Sequence, residues 1–464
     1  MSRLYLLPML MCSLPNGVLP AGQDLPRGQI IEKVACRDDT SQTYALYLPS
    51  GYTPETQWPI LYALDAGARG SLPVQRFKEA AEEYGYILAG SNNSRNGPVK
   101  IVQDAVNALI HDTQERFSLN QQRVYLAGFS GGARAAVLVG LAAKGKIAGI
   151  VACGAGFPPD IQPGVLMPFA LYLAVGDEDF NFPELRELEK TLKGLRVPHE
   201  LETFSGDHEW PPGHVCAHAL EWLELQAMKS GIRGKDASLI EQIYAKTIEE
   251  AESIEKEPRL FAALERYAAA WRSFAGLKDV AAFEVKMKQL EISRDVRRSR
   301  SLEKEAAMRQ KSADDELSRL FDDMAAGGDH PFAAQKLKAG IARLRDDAGQ
   351  KTNEARRLAS LRVLTRFWIA LNEQTVLAFE RREYTSAALR LEAMSGIRPD
   401  NPQVYYHLAR AHSMSGRTKE AIAALRNAIA KGYRDAATLE SNPDLAPLRT
   451  QPGYQKIIEG LKKP

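Results

Sequence analysis

Cysteine is scarce: the 464 residues hold four, at positions 12, 36, 153 and 216. If the N-terminal stretch is removed from the mature protein, Cys36, Cys153 and Cys216 remain, an odd number at spacings that fit neither a disulfide framework nor a zinc site. No H-E-x-x-H segment occurs. His214 and His218 are four apart and would share a helix face, with His208 close in sequence, but no cluster of carboxylates accompanies them. No metal and no other cofactor is therefore expected. Charge of one sign is also lacking. Sixty Lys and Arg against 58 Asp and Glu leave a net charge of +2, and no sustained basic stripe could neutralise a phosphate backbone, so nucleic acid is not an expected partner. The Arg294–Arg300 stretch is interrupted by serines and followed by Glu303 and Glu305, the pattern of a solvated helix face. Long apolar runs are missing too. Leu4–Met11 is broken by Pro8 and too short to span a bilayer.

Arg3, that apolar stretch, and the small and turn-forming residues up to Gly22 follow the order of a short secretory signal: charged, apolar, cleavable. Residues 1–22 are accordingly expected to be a signal peptide and the protein to be exported. Cleavage after Ala21 or Gly22 would put Leu19 or Pro20 where a small residue is usual. Beyond it, β-type runs recur at Ile30–Cys36, Thr43–Leu48, Pro59–Asp65, Tyr86–Ser91, Arg123–Gly128, Ile147–Cys153, Phe169–Val175 and His199–Phe204. Helix-compatible segments lie between the later ones, at Pro73–Tyr84, Val102–Phe117, Ala133–Lys144 and Pro183–Leu195. The first two runs are close enough for a hairpin, and the rest alternate with helices. Residues 23–234 are therefore predicted to form an α/β domain with an eight-stranded, mostly parallel sheet covered on both faces.

This domain is organised around Gly128-Phe129-Ser130-Gly131-Gly132. A G-x-S-x-G serine sits in a strained strand-to-helix turn, so the residues two before and two after it must lack bulk. The motif alone is weak. Its place between the Arg123–Ala127 strand run and the helix-compatible Ala133–Leu141 strengthens it and makes Ser130 a candidate nucleophile. Asp177, Glu178 and Asp179 follow the seventh run, and His208 lies in the loop Gly206-Asp207-His208-Glu209-Trp210 after the eighth. Serine, acid and histidine thus occur in the chain order of a triad whose acid orients the imidazole.

The elbow after the fifth of eight strands resembles the α/β-hydrolase fold, and is most similar to small esterases of the carboxylesterase and polyhydroxybutyrate-depolymerase type, over residues 30–228. The resemblance implies a serine hydrolase acting on esters. It selects Asp179, three residues after Gly176, as the triad acid, with Asp177 as the rival, and it likens the His208 loop to a Gly-His-x-Trp loop. It also implies an oxyanion hole made by the Gly131 N–H and a second backbone N–H, of Ala66 or Gly67, in the loop after the third strand. There Asp65 stands where many relatives carry histidine. Arg69 and the Ser91–Gly97 loop, with Asn93 and Arg95, follow strand ends on the side where ligands gather. They are candidates for recognising a carboxylate or sugar hydroxyls, unless the arginines pair with Asp65 and other local acids.

After Gly234 the strand signals stop. Helices are expected at Asp236–Glu255, Arg259–Phe274, Asp279–Met324, Phe332–Asp346 and Thr352–Glu383, making residues 235–383 a helical region. Ala387, Leu391 and Pro399 recur as Ala421, Leu425 and Tyr433, each 34 residues on, the tetratricopeptide period. Residues 384–464 are therefore expected to be tetratricopeptide-like, with Tyr405, Leu408, Ala409, Gly416 and Ala428 at bulky, small and turn positions, and to offer a surface for a protein partner. The expected function is cleavage of a small-molecule or carbohydrate-linked ester, with the chemistry complete before Gly234. A peptidase on the same fold, or an inactive scaffold, are the alternatives.

Overall fold

The computed structural model describes residues 25–257, 259–325 and 331–462, so the expected signal peptide at 1–22 lies outside the described residues. The chain divides into two compact units, Met1–Arg300 and Ser301–Pro464. The first contains β1 (Ile30–Ala35), β2 (Thr43–Tyr47), β3 (Trp58–Asp65), α1 (Ser71–Tyr84), β4 (Ile87–Ser91), α2 (Val99–Arg116), β5 (Leu119–Phe129), α3 (Gly131–Ala142), β6 (Gly149–Cys153), β7 (Ala170–Gly176), α4 (Phe182–Leu195), β8 (His199–Phe204) and α5 (Gly213–Ser230).

The strands form one sheet in the order β1-β2-β4-β3-β5-β6-β7-β8. β1 and β2 are an antiparallel hairpin and β2 is antiparallel to β4; every other pairing is parallel. This is the α/β-hydrolase topology. The central strands read as unbroken apolar runs because both of their faces are covered. Along β5, Val124 and Leu126 enter the core shared with α2, α3 and α4, while Tyr125, Ala127 and Phe129 enter the core shared with α1 and α5. The two-residue period of a strand thus divides one run between two cores.

The first unit does not stop at Gly234, where the domain boundary was expected. It continues through α6 (Ala237–Glu255), α7 (Leu260–Phe274) and α8 (Ala281–Glu291) to Arg300. Asp236 begins α6 by accepting the Leu239 N–H at 3.1 Å, a side-chain N-cap. These helices pack near the β8 edge, where they supply partners for charges that the sheet and α5 would otherwise bury alone. Arg272 of α7 pairs with buried Glu200 of β8, and Lys246 of α6 with buried Glu221 of α5. His218 of α5 is bonded through Nδ1 to Glu202 at 2.9 Å and through Nε2 to Glu250 of α6 at 3.2 Å. Arg266 of α7 also pairs with Glu250, and the Tyr172 hydroxyl donates to Glu202. A cavity of about 130 Å³ opens among these groups, away from Ser130.

The helix expected over Asp279–Met324 is two helices, α8 and α9 (Arg294–Ala325), because Ser293 interrupts it. The Ser293 Oγ accepts the Val296 N–H at 3.2 Å and starts a new helix, a local bond the apolar pattern does not reveal.

The second unit holds the rest of α9, then α10 (Pro331–Gly349), α11 (Glu354–Glu380), α12 (Tyr384–Ile397), α13 (Pro402–Met414) and α14 (Thr418–Ala430), followed by α15 (Ala436–Ser441), a 3₁₀ turn at Pro443–Leu448 and α16 (Pro452–Lys462). Tyr384 and Thr418 begin α12 and α14, and 418 minus 384 is the expected 34. Ala387, Ala409, Ala421 and Ala428, all fully buried, permit close helix approach, and Gly416 makes the turn before α14 at φ 76°. The core of this unit runs from Leu317 in α9 to Ile458 in α16, so the repeats share it with the preceding helices.

The His218 cluster makes stability depend on pH. Burial disfavours the imidazolium, but Glu202 and Glu250 outweigh it and raise His218 from 6.5 to about 9. Burial likewise opposes the Glu250 charge, but His218 and Arg266 bring it from 4.5 to about 2. A raised histidine contributes fully below pH 6.5 and loses its contribution as pH rises through 9. A lowered carboxyl contributes fully above pH 4.5 and loses its contribution as pH falls through 2. The cluster should therefore stabilise the unit most between pH 4.5 and 6.5. Thermal melts from pH 6 to 9.5 are expected to show wild type losing stability more steeply than His218→Gln; parallel curves would remove the cluster as the cause.

Candidate active site

β5 ends at Phe129 and α3 begins at Gly131, leaving Ser130 alone in the turn at φ 55° and ψ −120°. Few non-glycine residues adopt such a backbone, which costs about 1–3 kcal/mol and persists only where the surroundings impose it. The Ser130 N–H donates to Cys153 O at the end of β6 at 2.8 Å, and the Ala133 and Arg134 N–H groups donate to Ser130 O at 3.0 and 3.2 Å. The two motif glycines are required by close approach. A Cβ on Gly128 would lie 2.2 Å from Gly132 O, and one on Gly132 would lie 2.1 Å from Leu64 O. The helix can therefore cross directly over the strand ends, raising the serine hydroxyl above the sheet.

The structure brings Ser130, His208 and Asp179 together from three strand ends. The Ser130 Oγ lies 2.8 Å from His208 Nε2, and His208 Nδ1 lies 2.8 Å from Asp179 Oδ2. The other Asp179 oxygen accepts the Asn181 N–H at 2.8 Å. Asp179 is fully buried and the His208 side chain is 4% exposed, so the chain of bonds is largely sheltered from water. The imidazole packs against the rings of Phe129 and Phe180, at centroid distances of 4.7 and 4.3 Å.

Asp177 has a different task. Its Oδ1 accepts the Gly206 N–H at 3.1 Å, its own N–H donates to Phe204 O at 2.9 Å, and the Glu178 N–H donates to Gly206 O at 2.9 Å. Asp177 thus holds the turn that presents His208, and Asp179 touches the ring.

β3 and β5 are paired in parallel up to Asp65 and Phe129, so the loop after β3 leaves the sheet beside the Ser130 elbow. Of the two candidate donors in that loop, Gly67 is already engaged, its N–H donating to Asp65 Oδ1 at 2.8 Å. This takes up the Gly67 N–H and leaves Ala66 as the remaining candidate of the two. The reason is Asp65 itself, which is fully buried and gathers five donors, including the Arg69 N–H at 3.4 Å. Arg69 Nε and Nη2 bind it at 2.8 and 2.9 Å, and Trp210 Nε1, in the histidine loop, donates to Oδ2 at 2.7 Å. Burial opposes the charge, but Arg69, Trp210 and Gly67 outweigh it and hold the carboxyl below its usual range. Arg69 is accordingly a partner of Asp65, as the local-pairing alternative had it.

Asn93 is not placed to bind substrate either. Its Oδ1 accepts the Thr43 N–H at 2.8 Å and its Nδ2 donates to Ser41 O at 3.1 Å, fastening the loop after β4 to the β1–β2 hairpin. Arg95 is exposed, with its backbone bridged to Gly67 beside the site. Three residues at the site went unassigned from sequence: Phe180, Trp210 and Asn96. Phe180 directly follows Asp179, a signal that could have been read, whereas Asn96 reaches Gly131 only through the fold.

His214 and His218 have ring centroids 6.0 Å apart, and both nitrogens of His218 are bonded to carboxylates. Among the described residues no group of three or more His, Cys, Asp or Glu side chains could hold a metal ion. Cys36, Cys153 and Cys216 are buried free thiols. No helix among the described residues is long and apolar enough to cross a membrane.

The family model described as Tetratricopeptide repeat matches residues 378–439, from the end of α11 to α15. No curated protein matches the chain. Among solved structures, an S-formylglutathione hydrolase from Staphylococcus aureus is similar at 16% identity and a TM-score of 0.34, over 45% of this chain and 99% of its own. A feruloyl esterase module from Clostridium thermocellum, complexed with sinapinate, is similar at 15% identity and 0.34, over 41% and 84%. Est1E from Butyrivibrio proteoclasticus is similar at 13% and 0.33, over 42% and 97%.

Removing the Asp65 carboxylate should separate the two loops it joins. Asp65→Ala leaves the buried Trp210 N–H unpaired and is expected to lower the unfolding free energy by about 1–3 kcal/mol. Asp65→Asn, which retains an acceptor, should cost less. Urea unfolding measures both, and an alanine variant as stable as wild type would show that the loops are held by other contacts.

Proposed function

We propose that the chain is a serine hydrolase that cleaves carboxylic esters through an acyl-enzyme, with Ser130 as nucleophile, His208 as general base and acid, and Asp179 as the acid that orients it. The observation that carries this reading is the unbroken pair of 2.8 Å contacts from Ser130 Oγ through His208 to Asp179 Oδ2. A serine hydroxyl is a weak nucleophile until a base can take its proton as it attacks. With Nδ1–H donating to Asp179, the Nε2 lone pair faces Ser130, and the buried carboxylate stabilises the imidazolium that forms.

Attack on the ester carbonyl places negative charge on its oxygen, which the Gly131 and Ala66 N–H groups are proposed to receive. When the tetrahedral centre collapses, the alcohol leaves with the proton held on His208 Nε2. Water then attacks the acyl-serine by the same relay. A small-molecule or carbohydrate-linked ester is the proposed substrate class, and Arg95 at the rim is the remaining candidate for contacting it. The helical repeats are proposed to bind a protein partner, and the protein is proposed to be exported.

A fluorophosphonate probe should label wild type at Ser130 and fail on Ser130→Ala; unchanged labelling of the variant would sink the assignment. Among the acids, Asp179→Asn is expected to lower kcat by up to about 10⁴-fold. Asp177→Asn should cost far less, since its amide oxygen can still accept the Gly206 N–H and it is Asp179 that bonds the His208 ring. Steady-state kinetics on a short-chain aryl ester rank the two, and the reverse order would transfer the role to Asp177.

A further inference from the structure

We propose that Asn96 is a positioning residue for the oxyanion site, holding the two backbone donors at their working separation; this rests on the serine-hydrolase reading. The loop after β4 is unusually well anchored. Ser91 Oγ accepts the N–H groups of Asn93 and Ser94 at 3.2 and 3.0 Å, and Ser94 is buried. Asn92 Nδ2 donates to Glu32 O at 3.0 Å, and the Asn93 bonds tie the same loop to Thr43 and Ser41. A loop fixed at so many points delivers its last residues to a definite place.

Asn96 meets both walls of the oxyanion site there. Its N–H donates to Ala66 O at 2.9 Å, next to the Gly67–Arg95 bridge, so it fixes the loop after β3. Its carboxamide lies against Gly131. A Cβ added to that glycine would be 1.8 Å from Asn96 Oδ1, 2.8 Å from Cγ and 3.2 Å from Nδ2. One residue therefore touches both segments that carry the donors, from outside the catalytic triad. Oxyanion donors act only when they sit about 2.7–3.1 Å from the oxygen they stabilise. A misplacement of about 1 Å can cost about 10²-fold in rate. A carboxamide also suits this place because it is neutral, whereas a carboxylate would oppose the charge developing beside it.

The contact between Asn96 and Gly131 permits a double-substitution cycle, read by kcat and KM on a short-chain aryl ester and by melting temperature. Asn96→Ala is expected to lower kcat by about 10²-fold with KM nearly unchanged. Asn96→Asp should be impaired at least as much, with the deficit shrinking as pH falls through the carboxylate range. Gly131→Ala should lose most of its kcat and melt lower, because its Cβ strikes Asn96. Adding Asn96→Ala should relieve that clash and recover part of the melting temperature, with the combined kcat loss smaller than the product of the two single losses, the non-additivity of residues in contact. Wild-type kcat in Asn96→Ala, or strict additivity in the cycle, overturns the proposal while an active wild type leaves the hydrolase reading standing. A wild type that neither labels nor turns over overturns the hydrolase reading, and this proposal with it.

Discussion

The α/β part of the molecule depends on a single crowded crossing, where the chain leaves β5 and enters α3 through Ser130. The serine backbone is held in a conformation costing about 1–3 kcal/mol, and the crossing exists only because Gly128, Gly132 and the Leu64 carbonyl can touch. The parallel neighbours β3 and β6 supply the remaining restraint, through Leu64 on one side and Cys153 O on the other. A sheet with both faces buried is therefore a requirement of the site as well as its support, since a looser sheet would let the turn relax.

Three aspartates at strand ends show how surroundings assign roles to one side chain. Asp65 is buried among five donors and fastens the loop after β3 to Trp210. Asp177 accepts a backbone N–H and shapes the histidine loop. Asp179, two residues on, has one oxygen on His208 and the other on the Asn181 N–H. Trp210 is two residues beyond His208, so the Asp65–Trp210 bond also ties the loop after β3 to the histidine loop. The buried Asp65 carboxylate has its own cation, Arg69, so the charge is neutralised where it is buried.

The helices after α5 complete the first unit in the same manner. Glu200, Glu202 and Glu221 are carboxylates that α7, α5 and α6 respectively pair with Arg272, His218 and Lys246. Ending the chain at Gly234 would remove Arg272, Glu250, Arg266 and Lys246 and leave Glu200 and Glu221 without these cations, so the sheet and the following helices are one unit in electrostatic terms. The second unit follows a different logic, in which alanines at a 34-residue period let helices stack on a shared core.

Strand and helix periodicity, the elbow, the order of serine, acid and histidine, and the 34-residue repeat were all legible in the sequence, because each is a local pattern of bulk and polarity that the backbone period converts directly into position. The break at Ser293 escaped that reading, since one capping hydroxyl does not disturb an apolar pattern. The resemblance already favoured Asp179 over Asp177, but the contact of its carboxylate with a ring 29 residues away is set by the fold. Gly67 and Arg69 were drawn into bonds within their own loop by Asp65, a local pairing the sequence already offered for Arg69, whereas Asn93 was drawn to Thr43 and Ser41, partners chosen by which loops the sheet order brings side by side. Local sequence determined the elements and the chemical groups each could offer. Tertiary structure decided which of those groups are spent on one another, because a hydrogen bond or ion pair depends on an approach within about 3 Å that no single segment can set.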